Sequence, residues 1–542
     1  MPFSPVRLAR PRAAGSILVA GTVALSAVAA HRAAPTSAAG GGTLVVAKDI
    51  SDGKTMDPGH FYEFASNSMA TNCYDTLVTY RGSETTRPEK SLATDYSVSS
   101  GGRVFTFKLR HGVRFASGNP LTAADVVFSY RRLKYLNDNP EFLIDGATDI
   151  RALDMYTMRI TLGAPDISFL AALADNNFAV LDSKLVRAHG GDDSPQAATK
   201  DRARSFLDTQ SVGTGPYQMT NWTRKVQIVM TRNPNYWGPR PPMAKIVYQN
   251  QQNSATQRLL VQRGSVDIAT NVDLQQAQAL AHDPNVQVVK GTTLDLIYLG
   301  MTLSPSLSKP LADKRVRQAV RYAIDYDGII NGLLKGVGAR PSTMIPLGLL
   351  GADAATNNAL LMRQDLSKAR ALLKAAGYPN GFAVKLSYDT NKAFDSVSFD
   401  PLASKLQNDL ARVGIRVTLD PEQDTVLLDA YRHQKLQIIL YNWGVDYPDS
   451  NDYAGPFSPG GGPAKRLYYT NNKSLTGLVT QADTTTDAGK RAALYRAIQR
   501  TWLDESPWVA LVQPQNIFVL GKNVKGFSYS PVLPNNFRTT ST

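Results

Sequence analysis

The sequence predicts an α/β fold, in which helices pack around a mostly parallel sheet. Between residues 383 and 441, three apolar runs alternate with two amphipathic stretches in the order strand, helix, strand, helix, strand. This alternation is typical of parallel strands that are joined by helical crossovers. The chain has 542 residues, 43% of them hydrophobic and 19% charged, which is enough for two or three packed domains.

The first half of the chain predicts shorter elements. The apolar run TLVVAKD at 43–49 indicates a first strand. In VFTFKLRHGVRF, the side chains of Phe105, Phe107 and Leu109 alternate with polar ones, which indicates a half-buried strand, and Gly112 marks the turn that follows. We expect both strands to contribute to a hydrophobic core.

Cap residues define the ends of two helices. Thr122 and Asp125 have the spacing of a capping box, so a helix is predicted to begin there. In the 383–441 region, Asp400 is predicted to be an N-cap, with Pro401 at the first helical position and Gly414 as the C-terminal stop.

The composition excludes several kinds of site. The single cysteine, Cys73, excludes an internal disulfide and any metal site built on paired cysteines, and we expect it to be a small buried hydrophobe. The six histidines show no HExxH or other close pair. The net charge is +14, but no Lys/Arg run exceeds two residues, which argues against nucleic-acid binding. We therefore predict no metal, no cofactor and no nucleic-acid partner.

The N-terminus predicts export. Residues 1–30 combine a basic start with an uncharged, small-residue run and an AVA cleavage pattern, as in a secretory signal; a membrane anchor is the alternative. His31 stands where a bacterial lipoprotein would carry its acylated cysteine, and residues 31–42 are predicted to be a flexible tether. Because the lipidated thiol is missing, we expect a soluble extracytoplasmic protein, periplasmic or secreted.

The third strand of the 383–441 region ends in an unusual loop. The stretch LQIILYNWGVDYPDSNDYAGPFSP begins as a strand and continues with aromatic residues, carboxylates, glycines and prolines. In parallel sheets, ligands bind outside the carboxyl ends of the strands. The loop is therefore a candidate site.

Several segments of the chain appear in the order that one protein family shows: FKLRHGVRFASGNPLTAADVVFSYRRL, VGTGPYQMTNW, RNPNYWG, LLVQRGSVDIA, DKRVRQAVRYAIDYDGIINGLLKGVG, DLSKARALLKAAGY, WGVDYPDSNDY and AGKRAALYRAIQRTWLDESPWVALV. Together, these segments resemble the peptide/nickel type of solute-binding proteins of ABC importers. They extend over nearly all of residues 43–530.

The resemblance implies a bilobal periplasmic-binding-protein fold of type II, in its large three-domain form. The lobes would close over a ligand about a hinge formed by two chain crossings. The implied boundaries are, for lobe one, 43–75, 205–305 and 510–542; for an insertion subdomain of lobe one, 76–204; and for lobe two, 306–509. The family protein is a non-catalytic receptor that delivers solute to the permease subunits of an ABC transporter, and we expect a monomer.

Three interpretations of NWGVDYPDSND remain open. A calcium loop would use Asp446, Asp449 and Asp452, although their spacing of three does not match the usual alternation of ligands. A secreted hydrolase would use Asp446 and Asp449 as a carboxylate pair. A ligand-ammonium site would combine the π-face of Trp443 with the charge of Asp446; alternatively, Asp446 caps the loop and Trp443 belongs to the core.

The resemblance favours the ammonium site. In peptide-binding members, the aspartate of a W-x-x-D segment meets the free α-amino group of the ligand, and Trp443 and Asp446 match that segment. The ligand would then be a small peptide or a related amine-bearing solute, while a nickel complex, an oligosaccharide or an opine remain alternatives. The expected substrate-binding residues are Trp443, Gly444, Asp446, Tyr447, Tyr62 and Asn67; Phe61, beside Tyr62, either lines the cleft or packs inside, and no catalytic residue is expected.

Overall fold

The computed structural model describes residues 41–270, 272–280, 282–390, 393–533 and 535–542. The predicted signal segment 1–30, and residues 31–40 of the predicted tether with His31, lie outside the described residues. Within the described ranges, no helix combines the length and the apolarity that a membrane span requires.

The first lobe is built on a mixed sheet. Among the described residues it has seven strands, in the spatial order β12 (Val286–Thr292), β20 (Gln515–Gly521), β11 (Ile268–Ala269), β1 (Thr43–Lys48), β10 (Lys245–Asn250), β9 (Gln227–Arg232) and β8 (Tyr217–Thr223). The predicted first strand is central, parallel to both of its neighbours, and buries Leu44 and Val46. The helices of this lobe are α1 (Phe64–Cys73), α6 (Arg204–Leu207), α7 (Ser254–Gln262) and α8 (Leu274–Gln278).

The insertion subdomain has its own antiparallel sheet. Its strands, in spatial order, are β4 (Ala93–Ser99), β5 (Val104–Leu109), β7 (Thr157–Leu162) and β6 (Ala147–Asp154), beside a ribbon of β2 (Val78–Thr79) and β3 (Glu89–Lys90). Its helices are α2 (Ala123–Tyr135), α3 (Phe169–Ala172), α4 (Ser183–Ala188) and α5 (Ala197–Lys200), with 3₁₀ turns at Asn139–Leu143 and Asn176–Phe178. The predicted strand face and the Thr122–Asp125 capping box are both confirmed.

The second lobe contains the predicted parallel strands. Its sheet has the spatial order β17 (Arg416–Glu422), β14 (Ala383–Asp389), β18 (Ile438–Trp443), β13 (Leu296–Met301) and β19 (Trp508–Val512); β14 is parallel to β17 and β18, whereas β13 is antiparallel to its neighbours. A ribbon of β15 (Ala393–Phe394) and β16 (Val397–Ser398) follows β14. Its helices are α9 (Lys309–Ala312), α10 (Lys314–Ala323), α11 (Ala354–Leu360), α12 (Leu366–Ala375), α13 (Phe399–Ala411), α14 (Asp424–Arg432), α15 (Asn451–Ala454), α16 (Gly462–Arg466), α17 (Lys473–Thr484) and α18 (Ala488–Glu505), with a π-helical turn at Gly328–Leu333.

The chain passes between the two large sheets at 293–295 and at 513–514, and the two crossings are hydrogen-bonded to each other. Gln513 Nε2 donates to Thr293 O at 2.8 Å, and Thr293 Oγ1 donates to Pro514 O at 3.0 Å. The first crossing precedes the boundary expected at 305, because Leu296–Met301 pairs with strands of the second lobe. The second crossing follows the boundary expected at 510.

One predicted cap is wrong. Helix α13 begins at Phe399, so Asp400 and Pro401 are its second and third residues instead of its N-cap and its first position. The carboxylate of Asp400 accepts a hydrogen bond from Thr390 Oγ1 at 3.1 Å, which ties the helix to the end of β14. The strand β16 runs directly into the helix, and for this reason no separate cap residue precedes it.

A buried ion-pair network joins the insertion subdomain to the first lobe. The guanidinium of Arg132, fully buried on α2, donates to both oxygens of Asp57 at 2.7 and 2.6 Å and to both oxygens of Asp201 at 2.7 and 2.9 Å. Burial alone would raise the pKa of Asp57, but the charge of Arg132 lowers it below its usual value. The network fixes the segment that leads from Asp57 to Tyr62.

We expect Arg132→Met to lower the free energy of unfolding by about 3–5 kcal/mol, because it leaves two buried carboxylates without a cation. The neighbouring Arg131 is a matched control, since its side chain is 39% exposed and pairs with Asp193 only at 3.7 Å; Arg131→Met should cost less than about 1 kcal/mol. Urea unfolding followed by tryptophan fluorescence compares the two variants. Equal losses would contradict the importance of the network.

Candidate ligand-binding site

Three adjoining cavities lie in the cleft between the lobes. Their volumes are about 290, 290 and 40 Å³, and Asn67 of the first lobe and Val445 of the second line all three. The carboxylates among the lining residues are Asp49, Asp52, Glu63, Asp175, Asp295, Asp395 and Asp446. Among the described lining residues, Lys48 is the one cation. A protein with a net charge of +14 therefore has an acidic cleft.

Asp446 lies where the two lobes meet. Its carboxylate accepts a hydrogen bond from the hydroxyl of Tyr62, which belongs to the segment before α1 in the first lobe. Its backbone N–H donates to Asp452 Oδ2 at 3.2 Å, and the indole Nε1 of Trp443 donates to the same oxygen at 3.3 Å. The loop after β18 thus places two carboxyl groups side by side at the end of a parallel strand.

The surroundings of this carboxyl pair favour its neutral form. Burial raises the pKa of Asp446 to about 6; the charge of Asp295 acts in the same direction, while hydrogen bonds with Tyr62 and Asp452 oppose it. Burial, and then the charge of Asp446, raise the pKa of Asp452 well above its usual value. Burial also raises the pKa of Asp175, which lines the cleft, to about 7. A cation placed here would compensate all three groups.

The other expected site residues surround Asp446. Trp443 packs edge-on against Phe457, with ring centroids 5.1 Å apart, and Gly444 lines the same cavity as Asp446. Tyr447 lines the smallest cavity and packs against the core of the insertion subdomain. Asn67 lines the cleft from α1, where its Oδ1 accepts a hydrogen bond from Asn176 at 2.6 Å. The structure therefore brings all six expected residues to one cleft.

Asp449 does not face the cleft. Arg491 of α18 donates to its two carboxylate oxygens at 2.6 and 2.8 Å, and the hydroxyl of Tyr495 donates at 3.1 Å. A carboxylate held in this way is not available as the partner of Asp446 in hydrolysis. Within the described ranges, no group of three or more His, Cys, Asp or Glu side chains is arranged to hold a metal ion.

Two further residues belong to the core of the first lobe. Phe61 is fully buried, which makes it a packing residue. Cys73 is confirmed as a buried small hydrophobe, and burial raises the pKa of its thiol to about 12.

Sequence reasoning missed several cleft residues. Asp295 lies in the first chain crossing, Asp395 at the tip of the β15–β16 ribbon, and Lys48 at the end of β1. No motif marks them. One sequence signal points to Lys48: it ends a predicted strand, and the ends of strands line the ligand site in such sheets.

Comparison with known proteins identifies the family. The family model of the bacterial extracellular solute-binding proteins, family 5, matches residues 87–465. The chain belongs to this family. Its members' bilobal type II fold, expected from the sequence, is therefore confirmed, and members of the family act outside the cytoplasm.

Individual relatives cover almost the whole chain. The "Probable D,D-dipeptide-binding periplasmic protein DdpA" of Escherichia coli K12 is 29% identical over 96% of this chain and 97% of its own length. A solved structure of DppA from Helicobacter pylori in complex with the peptide STSA is 27% identical, with a TM-score of 0.75 over 93% of this chain and 98% of that chain. AgaA from Agrobacterium tumefaciens R10, solved with agropinic acid, is 25% identical, with a TM-score of 0.72 over 92% and 98% of the two chains.

The two aspartates of the loop should respond oppositely to conversion into asparagine in the ligand-free protein. The pKa of Asp446 is higher in the folded state than in the unfolded chain, so the folded state binds more protons between pH 4 and 6. Asp446 therefore lowers the free energy of unfolding as the pH rises through that window. We expect Asp446→Asn to raise the free energy of unfolding by about 1–3 kcal/mol at pH 7.5 and by much less at pH 4.5.

Asp449→Asn is the matched control, and it should lower the stability at pH 7.5 by about 3–5 kcal/mol because it leaves Arg491 buried and unpaired. Urea unfolding at the two pH values measures both variants. If Asp446→Asn destabilises the protein as strongly as Asp449→Asn does, Asp446 is a loop cap.

Proposed function

We propose that this protein is the extracytoplasmic substrate-binding receptor of an ABC importer, which captures peptides or a related amine-bearing solute between its lobes. The observation that carries the proposal is the Asp446–Asp452 carboxyl pair, in which Asp452 is buried and Asp446 is half-buried beside Tyr62, and which has no described cation within reach. A ligand ammonium placed there gains a charge-assisted hydrogen bond and removes the cost of burying the pair.

The names of the relatives support a peptide as the ligand. The match to the D,D-dipeptide-binding protein and the match to a structure solved with a tetrapeptide both extend over more than nine-tenths of this chain. The structure solved with agropinic acid supports the alternative, a binding protein for a non-peptide solute. Both ligand classes fit the same role, in which the receptor binds one ligand, closes over it as a monomer and delivers it to permease subunits without catalysing a reaction.

Export completes the proposal. The signal-like segment 1–30 would direct the chain out of the cytoplasm, and His31 in place of the lipidated cysteine would leave it unattached to the membrane. The alternative of a secreted hydrolase has little support, because Arg491 occupies the carboxylate of Asp449.

Native mass spectrometry with peptide pools tests the proposed function. A pool of di- to pentapeptides with free N-termini should give one-to-one complexes, whereas the same pool after N-acetylation should give almost none, because acetylation removes the ammonium. Asp446→Asn should lose the complexes that the wild type forms. The exposed Asp429 on α14 is a matched control, and Asp429→Asn should keep them.

If the free and the acetylated peptide pools form complexes with the protein equally well, the result contradicts the ammonium site. The absence of complexes with either pool would contradict the peptide ligand and favour a non-peptide solute, which mass spectrometry of protein purified from its own host would identify.

A further inference from the structure

The inner cavity of the cleft, which we define by Lys48, Asp295 and Asp395, lies beyond Asp446. It has a volume of about 290 Å³ and joins the cavity of Asp446 at Asn67 and Val445. Asp295 connects the two regions, since its Oδ1 accepts a hydrogen bond from the backbone N–H of Val445 at 2.9 Å. A sufficiently long ligand whose ammonium lies on Asp446 can therefore extend into the inner cavity.

Lys48 presents a buried ammonium to this cavity. It is the last residue of β1 and is only 6% exposed, and burial lowers its pKa. The nearest carboxylates are engaged elsewhere: Asp49 Oδ1 accepts hydrogen bonds from Ser51, and Asp52 accepts them from the backbone at the start of α1. No described carboxylate lies within about 4 Å of Lys48 Nζ, the reach of an ion pair.

An unpaired ammonium buried in this way is costly by several kcal/mol. An anionic ligand group would remove that cost.

Asp395, which is half-buried, presents its carboxyl group to the same cavity. The ribbon of β15 and β16 turns through Asp395 and Ser396, whose φ values of +45° and +70° are both left-handed, as in a type I′ turn. This turn directs Asp395 toward Asp295, with which its carboxyl group shares a hydrogen bond, and its Oδ2 is inaccessible to solvent. Burial, followed by the charge of Asp295, raises the pKa of Asp395 well above its usual value.

Lys48 and Asp395 interact through space, yet they do not form an ion pair. An anionic group beside Lys48 and a cationic group beside Asp395 would compensate both residues. We propose that the inner cavity binds a ligand end that bears a carboxylate and an ammonium together, such as a C-terminal lysine, ornithine or other diamino acid residue. The carboxylate would pair with Lys48, and the ammonium with Asp295 and Asp395. This inference rests on the proposed function, which supplies the first ammonium site at Asp446.

Isothermal titration calorimetry with three peptide series tests the inference. Alanine di-, tri- and tetrapeptides that end in lysine are compared with the same peptides ending in norleucine, which lack the second ammonium, and with their lysine carboxamides, which lack the carboxylate. For the best-fitting length, the wild type should prefer lysine over both analogues by about 10- to 100-fold, as expected for a charge-assisted hydrogen bond.

The variants separate the two charges. Asp395→Asn should lose the preference for lysine over norleucine but keep the preference for the free carboxylate over the carboxamide. Lys48→Met should lose the preference for the carboxylate but keep the preference for lysine. Lys48→Met should fold, because it replaces a buried unpaired charge with an apolar side chain of similar length. The control Lys54→Met removes a lysine that is 74% exposed on the same segment, and it should change neither preference.

The outcomes distinguish this inference from the proposed function. If the wild type binds the lysine and norleucine peptides equally well, the inference is overturned and the peptide receptor stands. If none of the free-amino peptides binds, the peptide ligand of the proposed function fails, and the inference fails with it.

Discussion

The burial of carboxyl groups between the lobes is the constraint on which the site depends. Asp452 is buried, Asp446 beside it is half-buried, and the carboxylate of Asp446 accepts a hydrogen bond from the hydroxyl of Tyr62 of the other lobe. Without a cation, this arrangement destabilises the protein, and the pKa of Asp446 rises to about 6 as a result. With an ammonium, the same arrangement becomes attractive, so that ligand binding and contact between the lobes favour each other.

The surrounding structure holds this unfavourable pair in place through interactions that are individually strong. On the second lobe, Arg491 fixes the loop by its two hydrogen bonds to Asp449, three residues after Asp446. On the first lobe, Arg132 fixes Asp57 and, through it, the segment of Tyr62. Ion pairs whose charges are compensated thus hold in place carboxyl groups whose charges are not. This is the arrangement expected in a binding site.

The sequence predicts those parts of the fold that local patterns determine. The parallel arrangement of β14, β17 and β18 followed from alternating strands and helices, and the position of Asp446 followed from the end of the third strand and from the W-x-x-D segment. The cap at Asp400 was mispredicted, because a local cap pattern cannot include the contact with Thr390 on the preceding strand.

Contacts between segments that are distant in the sequence could not be predicted from it. Tyr62 and Asp446 are separated by 384 positions. The inner cavity joins the end of β1, a chain crossing and a ribbon tip, and only the folded arrangement shows that Lys48 and Asp395 share it. The sequence of the strand Leu296–Met301 does not indicate which lobe contains it, because its own residues do not show that it pairs with β18 and β19.

The coupling between Asp446 and the ligand ammonium is the most direct test of the account. Calorimetric titration measures the affinities of wild type and Asp446→Asn for one bound peptide and for its N-acetylated form. The account predicts that either change alone costs about 2–5 kcal/mol, a loss of roughly 30-fold to several-thousand-fold in affinity, and that both together cost little more, since they remove the same interaction. Additive losses, or full affinity in Asp446→Asn, would contradict it.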